Sequence, residues 1–182
     1  MSCYIEEGYS LDCRNSSVGG LKSLWILGGS GNTITGWASN VDSEITAISG
    51  SGVFYKFELV KQSSSLTEAI TVNTTSQSVV FEPTLNINLP KMGASLRNLF
   101  QNLVSQNNIF AIVLDNNDNY WSVAFQNGAL VTAGTLQTGQ AYSDLNGISA
   151  LTIVGGEPNA TQRIDVTTTL AAVMTGITVS AE

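Results

Sequence analysis

The chain has 182 residues, 43% hydrophobic and 12% charged, and its fourteen acidic and seven basic side chains leave a net charge of −7. That length suits one core and a single domain spanning 1–182, while the charged fraction is about half of the ~25% usual in soluble domains. With no basic stripe, a specific grip on a nucleic-acid backbone is disfavoured, though an acidic wall past which DNA slides is physically allowed.

The first element is a strand at Lys22 to Leu27, KSLWIL, ended by the flexible turn GGSGN at Gly28 to Asn32. Further strands are predicted at Val41 to Ile48 and Val53 to Lys61. In the second, Val53, Tyr55, Phe57 and Leu59 face one way and Lys56 and Glu58 the other. The polar stretch Gln62 to Gln77 reads either as an ordinary hairpin or as a long protruding one that orders on a neighbouring subunit. From Val79 to Leu89, Val79, Phe81, Leu85, Ile87 and Leu89 alternate with Glu82, Thr84, Asn86 and Asn88.

A helix is predicted from about 90 to 106, with Pro90 at its first position and QNN at 106–108 ending it. Met92, Leu96, Leu99, Phe100, Leu103 and Val104 recur at three- and four-residue spacing and form one apolar stripe against a sheet. Strands follow at Ile109 to Leu114, Tyr120 to Phe125, Ala129 to Ala133, Gly147 to Val154 and Gln162 to Thr168. The final LAAVMTGITVSAE is a strand or a docking tail. The fold class is therefore mainly β, a β-sandwich or partly closed barrel with one flanking amphipathic helix.

The stretch DNNDN between two apolar runs is the one cluster that invites a metal. Asp115, Asn117 and Asn119 match the first oxygen positions of an EF-hand loop, but Tyr120 stands in place of its glycine and Gln126 in place of its glutamate. The favoured reading is a hairpin turn whose Asp and Asn side chains bond their own backbone. No metal or cofactor is expected. With no histidine in the chain, Ser-His-Asp and Cys-His catalysis and histidine-ligated zinc are impossible.

The acids Glu6 and Glu7, Asp42 and Glu44, and Asp115 and Asp118 lie in turn or surface contexts, so a carboxylate hydrolase is not expected. GGSGN lacks the phosphate-loop pattern. Cys3 and Cys13 are expected as reduced thiols, with one disulfide as the alternative. The Asn-x-Ser/Thr matches at Asn15, Asn73 and Asn159 read as chance occurrences. No secretory signal and no run of about 18 apolar residues is present, so no membrane association is expected. Low charge density makes buried subunit contacts inexpensive and points to an oligomer.

The run NNIFAIVLDNNDNYWSVAFQNGALVTAGTLQTGQAYSDLNGISALTIVGGEPNAT, Asn107 to Thr161, resembles the end of structural proteins of tailed bacteriophages and prophages of Bacteroidetes-type bacteria. Its marks are a strand ending in an Asp-Asn turn, a Tyr-Trp strand, a D-x-N-G turn at Asp144 to Gly147 and a GxEP end at Gly155 to Pro158. LDCRNSSVGGLKSLWILGG, Leu11 to Gly29, resembles the start of such proteins.

Within that group the resemblance is greatest to tail tube proteins. It implies a homo-oligomer, a hexameric ring stacked into a tube that conducts DNA, assembled in the bacterial host cytoplasm and residing in the virion tail. Other tail or connector proteins would be its partners. Leu96, Leu99, Phe100 and Leu103 would pack the helix, the 62–77 hairpin and the termini would reach neighbours, and Asp42, Glu58, Glu68 and Glu82 are the candidate channel-facing acids. A head-tail connector, tail-completion or minor capsid protein is the alternative within this class. A carbohydrate- or receptor-binding β module is the alternative outside it, favoured if Trp37, Tyr120 and Trp121 share one shallow groove.

Overall fold

The computed structural model describes residues 17–142 and 147–180. Expectations for Glu6 and Glu7, for Cys3, Cys13 and Asn15, and for the turn residue Asp144 lie outside them. The described residues form a mainly β fold with one flanking helix. Its strands are β1 (Leu21–Gly28), β2 (Thr33–Ser39), β3 (Ile45–Glu58), β4 (Ser65–Asn73), β5 (Ser78–Pro90), β6 (Ile109–Asp115), β7 (Tyr120–Val123), β8 (Ala129–Gln137), β9 (Gly147–Gly155), β10 (Arg163–Ile164) and β11 (Met174–Val179). The helix α1 spans Ala94–Val104, and a 3-10 turn at Leu170–Val173 precedes β11.

All eleven strands join one mixed sheet in the order β1-β3-β10-β7-β6-β8-β9-β5-β4, with β2 and β11 also on β3. The pairs of β3 with β10 and β11 are parallel and the others antiparallel. An extra β1–β6 pairing returns the path to its start. That closure passes through the two-residue β10, which meets β3 only at Ile164↔Ile45, and the sheet runs on past it to β4, so the whole is a mixed sheet and not a barrel.

The strands β1 and β6 read as unbroken apolar runs because both of their faces are covered. Leu24, Ile26, Ala111 and Val113 point into a core completed by Leu85, Ile87, Leu151 and Ile153 of β5 and β9. Trp25, Leu27, Phe110 and Ile112 point into a second core with Ile45, Ile48 and Phe54 of β3, Ile164 and Ile177. The alternation predicted for β5 holds at Leu85, Ile87 and Leu89, which are buried while Asn86 and Asn88 are half-buried.

Several expectations are corrected. The helix begins at Ala94, because Pro90 is the last residue of β5, paired with Gly147, and Lys91 at φ 69° turns the chain before the extended N-cap Gly93. Leu103 is buried and Leu96, Leu99 and Phe100 pack on the first core, but Met92 and Val104 are exposed. Phe100 sits over β8 at Gly134, where an added Cβ would lie 3.1 Å from the ring. In the 53–61 pattern Leu59 is buried, Phe57 packs on the first core and Glu58 is exposed, as predicted, but Tyr55 is 57% exposed and Phe54 fully buried, against the prediction. The segment 41–48 is a turn followed by the start of β3, and β2 occupies a stretch with no predicted strand. The 62–77 segment is only one arm and the tip of a hairpin whose other arm is β5, in register from Ser65↔Asn86 to Asn73↔Ser78.

Candidate functional site

Two features stand out: the DNNDN turn with what it holds, and a groove beside the hairpin. In the turn, Asp115 Oδ1 accepts from the N–H groups of Asn117 at 2.8 Å and Asn119 at 2.9 Å. Asp118, at φ 64°, takes the left-handed position that Asp and Asn tolerate best among non-glycine residues. This is the side-chain-bonded turn expected from the sequence.

The turn also fastens the chain before β1. Asn117 accepts from the Val18 N–H and donates to the Val18 carbonyl, Asn116 donates to the Gly19 carbonyl at 2.6 Å, and Lys22 forms an ion pair with Asp118. The second carboxylate oxygen of Asp115 accepts from Trp121 Nε1 at 3.1 Å and fixes that ring. Burial pushes the Asp115 carboxyl up, but the hydrogen bonds from Asn119, Trp121 and Asn117 together outweigh it, and the group titrates below the ordinary aspartate range.

On its other side Trp121 lines a groove of about 780 Å³. Trp37 from β2, Phe81 and Val79 from β5, Asp42 and Glu44 from the turn before β3, and the 158–163 segment form the rest of its wall. Trp37 rests edge-on against Phe125 with centroids 6.2 Å apart. Arg163 Nη1 lies 3.2 Å from Glu44 Oε1, which commits that cation. Tyr120 does not join Trp37 and Trp121 in the groove. It stacks at a tilt on Trp25, 5.6 Å between centroids, beside the 3-10 turn.

Below the groove Glu157 is 7% exposed. Its oxygens accept from the Asn127 N–H at 2.9 Å and the Gln126 N–H at 3.2 Å, and its backbone exchanges two 2.8 Å hydrogen bonds with Phe81. Burial pushes this carboxyl up, and the N–H groups of Asn127, Gln126 and Gly128 offset only part of that. The sequence carries no signal for Glu157, because the GxEP run reads as a loop and burial of its acid depends on β5 and the 126–128 turn folding over it.

The four candidate acids do not gather. Asp42 is exposed at the groove rim, and Glu58 is exposed beside Lys56 at 3.8 Å. Glu82 is exposed opposite Ala69, whereas Glu68 pairs with Pro83, so their side chains leave opposite faces of the hairpin. Glu68 is half-buried and accepts from the Thr161 N–H at 2.8 Å, tying β4 to the 158–163 segment. Among the described residues no group of three or more Cys, Asp or Glu side chains is placed to hold a metal ion. Comparison with family models, with curated proteins and with solved structures gives no match for this chain.

Proposed function

We propose that the protein is a non-catalytic structural subunit that assembles with copies of itself into rings, stacked as a tube of the phage-tail kind that conducts DNA. One observation carries the assembly: the β4–β5 hairpin runs on beyond Phe81, where β5 makes its last bridge to the rest of the sheet, and its outer part carries uncovered apolar side chains. Ile70 is 63% and Val72 58% exposed, with Val79 and Val80 beside them on the other arm. A two-stranded ribbon is marginal in water alone, and clustered exposed apolar residues mark interaction surfaces.

The ring symmetry and the tail location come from the sequence resemblance, and the low charge density favours burial of such surfaces. Of the four acids, Asp42, Glu58 and Glu82 are exposed, Glu58 beside Lys56, while Glu68 is engaged with Thr161. Light scattering over a range of protein and salt concentrations, with negative-stain electron microscopy, tests the reading. Rings or tubes with an open axial channel are the expected result. A monomer at the highest concentration overturns autonomous assembly.

A further inference from the structure

We infer that the groove between the hairpin and the 158–163 segment is a second site, one that binds a neutral polyhydroxylated chain, an oligosaccharide, with Trp37 and Trp121 as stacking platforms. The inference does not depend on ring assembly. At about 780 Å³ the groove has the size of ligand sites. It gathers three large aromatic side chains from three different strands, Trp37, Phe81 and Trp121, each only half-buried. The apolar C–H faces of a sugar ring match such rings, which combine an apolar body with a polar handle.

Both tryptophans are held before any ligand arrives. The Asp115 turn pins the indole N–H of Trp121, and Phe125 supports Trp37 edge-on. Rings already ordered lose little freedom on binding, which is where a weakly hydrophobic ligand gains affinity. Among the described residues, the Asp42 carboxylate and the Trp37 indole N–H hold no hydrogen bond, so the groove offers one acceptor and one donor to hydroxyl groups.

Charge selects against the competing ligand classes. Arg163 is the cation of the lining and is taken by Glu44, and Asp42 adds a negative charge at the rim. A phosphate or nucleic-acid backbone therefore meets acids with no free cation to offset them. The polar side chains of Asn159 and Gln162 in the same wall suit hydroxyl groups better than an apolar peptide.

The test is a titration of the intact protein with four neutral hexasaccharides: β-1,4-linked glucose, β-1,4-linked N-acetylglucosamine, α-1,4-linked glucose and α-linked mannose. Tryptophan fluorescence and calorimetry report binding, and light scattering on the same samples reports assembly. The expected result is saturable binding of at least one class, weakened tenfold or more by Trp37→Ala or Trp121→Ala and several-fold by Asp42→Asn. Tyr120→Phe, outside the groove, leaves it unchanged.

Because a tryptophan lost to alanine can unsettle the fold, Trp37→Phe and the exposed Asp42→Asn are measured beside it with the thermal midpoint as control. Absence of binding by all four classes overturns the inference. So does binding that survives Trp37→Ala, Trp37→Phe and Asp42→Asn, or a fluorescence change that follows protein concentration alone, which would place a second copy of the chain in the groove.

Discussion

Asp115 and Glu157 are carboxylates that accept hydrogen bonds from backbone N–H groups at turns, yet acid moves their contributions in opposite directions. The folded Asp115 titrates below its unfolded value, so its stabilisation is present above about pH 3.9 and is lost as pH falls through the folded pKa. The folded Glu157 titrates above its unfolded value. The folded state then binds the proton more tightly, and its contribution declines as pH rises from about 4.3 through the folded pKa. Thermal melts from pH 3 to 7 should show a rise in wild-type stability on acidification toward about pH 4.5 that Glu157→Gln removes. The loss at still lower pH should persist in that variant. Asp115→Ala, which strips two turn bonds and leaves the Trp121 indole N–H without its acceptor, should cost about 1–3 kcal/mol in denaturant melts.

At the scale of elements, the helix stripe is divided by burial in a way that spacing alone could not specify. Leu103 is 6% exposed and Val104 48%, although both belong to the same predicted stripe. Leu103→Ala should therefore destabilise by about 2–4 kcal/mol, and Val104→Ala should stay within about 0.5 kcal/mol. Equal effects on urea midpoints would mean that α1 packs through a different face. The sequence showed β1, β5 and β6 well, because each buries its residues with a simple alternation or an unbroken run. It concealed β2, whose register shifts between Ile34 and Gly36 and again between Ala38 and Ser39, so that no two-residue period survives. It concealed the burial of Phe54 in β3, since a strand bordered by β1, β2, β10 and β11 meets apolar surface on both sides, with Phe57 on the first core and Phe54 in the second. Pro90 carried two meanings, helix start or strand end, and its pairing with Gly147 selected the second.

For the whole molecule, the hairpin tip is the surface whose change should alter assembly without altering the fold. Ile70→Ser with Val80→Ser replaces exposed apolar side chains on the two faces of the ribbon. The expected outcome is a lower assembled mass by light scattering at equal concentration, with the thermal midpoint moved by no more than a few degrees. An unchanged mass would remove the hairpin from the assembly surface.

Composition, the missing histidine and the local periods determined a mainly β chain with one helix, excluded histidine chemistry and made DNNDN a turn, because these depend on residue type and near neighbours. Which residues meet across the sheet was decided only by tertiary structure. Trp37, Phe81 and Trp121 lie 44 and 40 residues apart in sequence and share a groove, while the adjacent Tyr120 and Trp121 pack on different cores, Tyr120 on the second and Trp121 on the first. The physical reason is that neighbouring strand residues face opposite sides of the sheet, so proximity in the chain separates side chains that only long-range pairing can bring together.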